Sequence, residues 1–177
     1  MKTECFIVGG GPSLSSFDWS LLNNKITIAI NNAYQVLPQA SICYFTDNDW
    51  FSTHQSSLLQ HPGIKVKGSL PQQLLNHPKI KEYTLTQVSG LASNGNLAHG
   101  YNSAHAALNL AYTLGFKTIY LLGIDMGYTG GVSHWHSTDN HRVYKQMIAA
   151  FEVTAKELAQ RGVEVINLPS SNIQESK

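Results

Sequence analysis

The sequence predicts an α/β fold: one doubly wound domain over residues 1–177, with a mostly parallel sheet and helices on both faces, a Rossmann-like arrangement. Three observations predict it. Apolar runs alternate along the chain with segments of helical spacing. Most of these runs are continuous, as in "CFIV", "ITIAI" and "TIYLLGI", which is the pattern of strands buried on both faces. Several of the runs are closed by Gly, Asn or Asp, residues that end strands. No internal repeat and no linker divides the 177 residues.

Taken in order, "CFIVGG" is a first buried strand and "SLSSFDWSLL" a short helix or turn. "KITIAI", closed by "NN", and "SICYFT", closed by "DND", are the second and third strands. "WFSTHQSSLLQH" has helical spacing at Phe51, Leu58 and Leu59, with Asp49 favoured as its cap. "GIKVKG" is a short strand, "SLPQQLLNHPKIKEYTL" holds a short helix and an edge strand, and "SGLASNGNLAHGYN" is loop. "SAHAALNLAYTLG" places Ala104, Ala107, Leu108, Ala111 and Leu114 on one helical face, capped by Asn102 or Ser103 and stopped by Gly115. "KTIYLLGID" is a strand and "MGYTGGVSHWHSTDN" a polar loop. "HRVYKQMIAAFEVTAKELAQRG" is the longest helix, with Val143, Met147, Phe151 and Leu158 as its core stripe and Gly162 as its stop. "VEVINLPSS" is a last strand, and "NIQESK" a fraying end.

Charged residues make up only 13% against roughly 25% in typical domains, and the formal net charge is +1, which leaves no electrostatic footprint for nucleic acid. Cys5 and Cys43 sit inside apolar runs and read as buried thiols, consistent with a reducing compartment. The start "MKTECFIVGGGP" breaks too early for a signal peptide, and no apolar stretch approaches the roughly 20 residues of a membrane span. A cytoplasmic protein is therefore expected.

In an open parallel sheet, ligands bind beyond the carboxyl ends of the strands. That edge collects Gly9, Gly10, Gly11, Pro12 and Ser13 after the first strand, Asn31 and Asn32 after the second, Asp47 and Asp49 after the third, and Asp125 after "TIYLLGI". The glycine loop fits neither the dinucleotide fingerprint, since Leu14 takes the third glycine's place, nor the Walker loop. It either cradles a phosphate or turns the chain tightly. The amides of Asn31 and Asn32 suit a base edge, a ribose or a phosphate, or simply turn the chain. Asp47 and Asp49 suit a divalent metal beside a phosphate, or a helix cap. Asn102 and Ser103 lie at a helix N-terminus, where a phosphate or a cap is favoured. "SHWHSTDNH" carries His134, His136 and His141 within eight residues. It reads as a general base or substrate contact, a metal pair, or a surface loop. His105 reads as packing.

"FIVGGGPSL", "IAINNAY", "CYFTDNDWF", "NSAHAALNLAYTLGFKTIYLLGID" and "SHWH" occur in that order, and together they resemble the MptE-like superfamily, named from archaeal 6-hydroxymethylpterin diphosphokinase, with short members in phage and prophage genomes. The same order is similar to bacterial sialyltransferases of glycosyltransferase family 42 and to the central domain of flagellin motility-associated factors. The resemblance implies a nucleotide-dependent transferase. In its diphosphokinase form, ATP lies over the glycine loop with Mg²⁺ near Asp47 or Asp125. In its sialyltransferase form, a CMP-sugar lies there and a glycan accepts. Gly10 takes the place of an Asn in the sialyltransferase G-N-G-P-S-L loop. Asn31 falls on a nucleotide-contacting Asn, Asp47 on another Asn, and Asn102 and Ser103 on a Thr-Ser pair near the donor. His136, followed by Ser137, falls near the general-base His. A non-catalytic phage-type binding or assembly protein that keeps the fold is the third reading.

Overall fold

The computed structural model describes residues 3–125 and 144–168. Among the described residues, eight parallel strands form the sheet: β1 (Glu4–Val8), β2 (Thr27–Ile30), β3 (Ile42–Phe45), β4 (Ile64–Ser69), β5 (Ile80–Gln87), β6 (Leu97–Ala98), β7 (Thr118–Leu122) and β8 (Glu164–Leu168). The helices are α1 (Asn48–Gln60), α2 (Ser103–Thr113) and α3 (Tyr144–Gln160). The strand order is β6-β5-β4-β3-β2-β1-β7-β8. The chain thus walks outward from β1 to β6, then returns to lay β7 on the other side of β1. The topological switch point lies between β1 and β7, where an open α/β sheet has its ligand crevice.

The period of two along each strand explains the two-faced core. Cys5, Ile7, Ile28, Tyr44, Ile119 and Leu121 pack with the buried stripe of α2 and with Leu158 of α3. Phe6, Val8, Ala29, Cys43, Phe45 and Leu122 pack on the opposite side with Phe51 and Leu58 of α1 and with the short 3₁₀ turns after β1 and β2. The doubly wound expectation holds, and the sheet is wholly parallel. The strand of residues 80–87 is not an edge: a two-residue strand, β6, pairs beyond it inside the stretch expected to be loop. Gly115 and Gly162 stop α2 and α3 as expected, at φ +88° and +70°, each followed by an N–H that reaches back to the last turn (Phe116 to Ala111, Val163 to Leu158).

Both cysteines are free and buried, and burial pushes each thiol up to about 12. His105 is buried as packing: Nε2 lies 2.7 Å from Thr154 Oγ1, and the ring meets Phe151 edge-on. Burial first, and less strongly the neighbouring His99, hold this imidazole below its ordinary value against two backbone hydrogen bonds. In α3, Met147 and Leu158 are buried and Phe151 is half-buried. Val143 lies outside the described residues.

Candidate functional site

The switch point is closed by direct contact between the loops after β1 and β7. Gly9 N–H donates to Leu122 O and Gly11 N–H to Gly123 O, each at 2.8 Å. A Cβ on Gly9 would stand 2.5 Å from Ile124 Cδ1, and one on Gly11 would stand 2.6 Å from the Asp125 carboxylate. Two of the three consecutive glycines are therefore required by the approach of the chain's own β7 loop. Beyond them Pro12–Leu14 make a single 3₁₀ turn. Ser13 donates its N–H to Asp125 Oδ2 at 2.8 Å and its hydroxyl to Oδ1 at 2.6 Å. The sequence suggested a loop of exposed N–H donors; those of Gly9, Gly11 and Ser13 are engaged within the chain.

The neighbouring strands deliver the asparagines and Asp47 to the same edge. Asn31 follows β2 directly and adopts φ +49°, a left-handed conformation that Asn tolerates better than most residues. Its Oδ1 is buried, with no hydrogen-bond partner among the described residues. Asn32 is spoken for: its Oδ1 accepts from Trp50 Nε1 at 2.7 Å. Asp47, not Asp49, caps α1, with Oδ1 accepting from Trp50 N–H at 2.7 Å. The correction has a geometric reason. The cap must lie in extended backbone just outside the helix, whereas Asp49 already stands in its first turn. The next residue, Asn48, gives its amide to Gln73 O at 3.4 Å and leaves Oδ1 buried, with no partner among the described residues.

The start of α2 is fastened to the end of β3. Asn102 caps the helix through His105 N–H at 2.9 Å, and Ser103 Oγ lies 2.9 Å from Thr46 Oγ1. Gly9, Gly11, Ser13, Asn31, Asp47, Ser103 and Asp125 thus follow strands of one edge or lie against it. His134 and His136 lie outside the described residues.

A group that the sequence reading passed over sits beside this edge. Lys67, near the end of β4, is fully buried. Its Nζ donates to Ser69 Oγ at 2.6 Å and to Gln73 O at 2.9 Å, and Ser69 Oγ donates to Glu82 Oε2 at 2.6 Å. Burial holds the Lys67 ammonium below its ordinary value, against the pull of Glu82 and of Asp47. Lys67 is therefore within electrostatic reach of the cap carboxylate. The available signal was Lys65 and Lys67 alternating with apolar residues in "IKVKG": a lysine inside a parallel sheet is rarely buried unless paired.

Among the described residues, no group of three or more His, Cys, Asp or Glu is arranged to hold a metal ion. Mg²⁺ seldom needs such a cage, since one or two carboxylates with phosphate oxygens and waters suffice. Asp47 fits that requirement, with one oxygen beyond its cap bond. Among the described residues no helix is long and apolar enough to cross a membrane. The sequence model of one family, described as 6-hydroxymethylpterin diphosphokinase MptE-like, matches residues 1–131. No curated protein and no solved structure matches the chain.

Proposed function

The chain belongs to the MptE-like family, and on that premise we propose that it transfers the terminal diphosphate of ATP to a small hydroxyl-bearing acceptor. The family supports a diphosphokinase-like transferase; the donor and the acceptor are our reading. The observation that carries it is Asn31, whose Oδ1 is buried at the carboxyl end of β2 with no partner among the described residues. A buried acceptor left unpaired costs about 1–3 kcal/mol. A ribose hydroxyl or a base amine of a nucleotide would supply the missing donor.

The acceptor hydroxyl oxygen attacks the β-phosphorus of ATP. The bond from that phosphorus to the bridging oxygen breaks, AMP departs with the oxygen, and the hydroxyl proton passes to a base. His136 is the residue proposed for that proton, with His134 beside it in sequence. Asp47 or Asp125 would hold Mg²⁺, which supplies neutralisation of phosphate charge when bound. The protein's part is mainly positioning and charge stabilisation. Gly9, Gly10, Gly11, Pro12 and Ser13 would face the phosphates, and Asn32, Asn102 and Ser103 would frame the nucleotide.

Calorimetric titration with ATP, with and without Mg²⁺, tests the donor. Phosphorus NMR of the products with a hydroxyl acceptor tests the reaction: AMP is expected, and ADP would instead mean single phosphoryl transfer. One observation favours a second reading, a non-catalytic binding module. Asp125 already accepts both donors of Ser13, as a phosphate would. Binding of nucleotide with no product under any metal condition would select it.

A further inference from the structure

The two edges of the sheet are built differently. Strand β6 ends one edge after only two residues, and its pairing with β5 is irregular. Strand β8 ends the other with five residues in unbroken register with β7. Its sequence, "EVINL", contains no Lys and no Pro, and its one charge, Glu164, stands at its start. The devices that commonly keep an edge strand from pairing are thus missing within it. Glu164 N–H donates to Lys117 O at 2.8 Å, so residues 164, 166 and 168 turn their backbone groups toward β7. The N–H and C=O of Val165 and Asn167 therefore point outward, and among the described residues no strand meets them.

This edge is complementary to itself. Antiparallel pairing with a second β8, about a two-fold axis at Ile166, sets Val165 opposite the partner's Asn167 and Asn167 opposite the partner's Val165. Each such pair exchanges both of its N–H···O=C bonds, and the two Ile166 side chains, half-buried in the single chain, meet at the axis. Neighbouring registers do worse. An axis at Asn167 would set Val165 opposite the partner's Pro169, which has no N–H. An axis at Val165 would set Asn167 opposite the partner's Val163, whose N–H already reaches Leu158 O at 2.9 Å.

Helix α3 extends the same surface. Its Thr154 and Glu157 hold the loop at Gly90 and Leu91, which draws the helix toward α2. The opposite flank, with Ile148, Glu152 and Ala155, overhangs β8 across a cavity of about 280 Å³ that Val165 and Asn167 also line. Ile148 is 43% exposed. Lys156 stands one turn after Glu152 at the exposed margin of that flank. Pairing about Ile166 makes the two α3 helices antiparallel, so Glu152 of each copy faces Lys156 of the other. A stable interface buries about 800 Å² per partner, more than one short strand edge offers, and the apolar helix flank beside it widens the contact.

We propose that this edge is a two-fold interface at which a second copy of this chain pairs β8 with β8 and packs α3 beside α3. The assembly closes as a dimer, since each copy uses its one long edge. It does not depend on the diphosphoryl-transfer reading.

Sedimentation equilibrium of the full chain tests it, and a dimer with no larger species is expected at micromolar concentration. Asn167→Pro removes an outward N–H and none that faces β7, so it should give a monomer with unchanged far-ultraviolet circular dichroism. Glu152→Lys or Lys156→Glu alone should weaken dimerisation about tenfold, because two symmetric attractions become repulsions. The double variant should restore it. Both positions are exposed on the helix, so these variants keep the test open should Asn167→Pro not fold. A wild-type monomer at about 100 μM overturns the proposal. So does a dimer equally tight in Asn167→Pro and in both single charge reversals, which would lie on another surface. Dimerisation that appears only after removal of residues 169–177 assigns the edge to the chain's own end and overturns it as well.

Discussion

Ser13 and Asp125, 112 residues apart, are joined by two hydrogen bonds of 2.8 and 2.6 Å, one from the serine N–H and one from its hydroxyl. This pair ties the loop after β1 to the loop after β7 where the winding of the sheet reverses. Charge-assisted bonds of this kind are about twice as strong as neutral ones. Their exposure to water lowers what they contribute to stability, but not the order they impose on the loop.

Gly11→Ala should break that arrangement. Its methyl would stand 2.6 Å from both the Asp125 carboxylate and Gly123 O, so one loop must move. Overpacking of this kind costs about 1–3 kcal/mol. Urea denaturation checks it, and an unchanged midpoint would mean that the two loops separate easily. Gly10→Val tests the ligand side of the same loop: nucleotide affinity should be lost if the backbone there approaches a phosphate.

Asn31→Gly separates folding from binding at one position. Glycine accepts φ +49° without strain, and the variant removes a buried oxygen that has no partner among the described residues. Thermal stability should hold or rise, while ATP affinity should fall about tenfold with the loss of one hydrogen bond. Calorimetry showing undiminished affinity would remove Asn31 from the nucleotide site.

Asp47 carries two candidate duties that substitutions can divide. Asp47→Ala should cost about 1 kcal/mol through loss of the α1 cap. Asp47→Asn keeps a good capping side chain and should leave stability nearly unchanged. If Asp47 also holds Mg²⁺, Asp47→Asn alone should abolish the gain in ATP affinity that Mg²⁺ confers. Equal Mg²⁺ dependence in wild type and Asp47→Asn would leave Asp47 as a cap only.

Glu82 makes stability depend on acid. Burial raises its pKa, but Ser69, the N–H groups of Leu75 and Asn76, and the Lys67 charge together outweigh burial and hold the carboxyl below its ordinary value. A carboxyl depressed in the folded state stabilises above its unfolded value of roughly 4.3, and that stability disappears as pH falls through the lower folded value. Glu82→Gln should therefore be less stable than wild type at pH 7. The two should converge in denaturant titrations carried from about pH 4 downward. A constant difference across that range would contradict the assignment.

His136→Ala should lose turnover while ATP affinity changes little, since a base acts on the acceptor. His134→Ala should do less, as one base is enough. Elemental analysis provides the alternative outcome: stoichiometric zinc lost in either variant would make the two histidines a metal pair.

The sequence by itself determined seven of the eight described strands, the helices and the edge on which small polar residues gather, because apolar period and turn chemistry are local properties of the chain; the two-residue β6 was read as loop. Gly115 and Gly162 as stops, and a cap at Asn102 or Ser103, were legible for that reason; the structure chose Asn102. The tertiary structure decided which of those polar residues are already engaged. Gly9 and Gly11 owe their identity to Ile124, Gly123 and Asp125, more than 100 residues away, and no window of sequence contains that contact. Asn31 and Asn32 are adjacent and chemically alike, yet Asn32 accepts from Trp50 while Asn31 keeps a buried oxygen with no partner among the described residues. Lys67 lies in the short strand "GIKVKG", and the Ser69–Glu82 relay and Gln73 O are what let it be buried. Burial and hydrogen-bond partners are set by distant segments that meet only in the folded chain, so the pattern located the site and the packing assigned its members their partners.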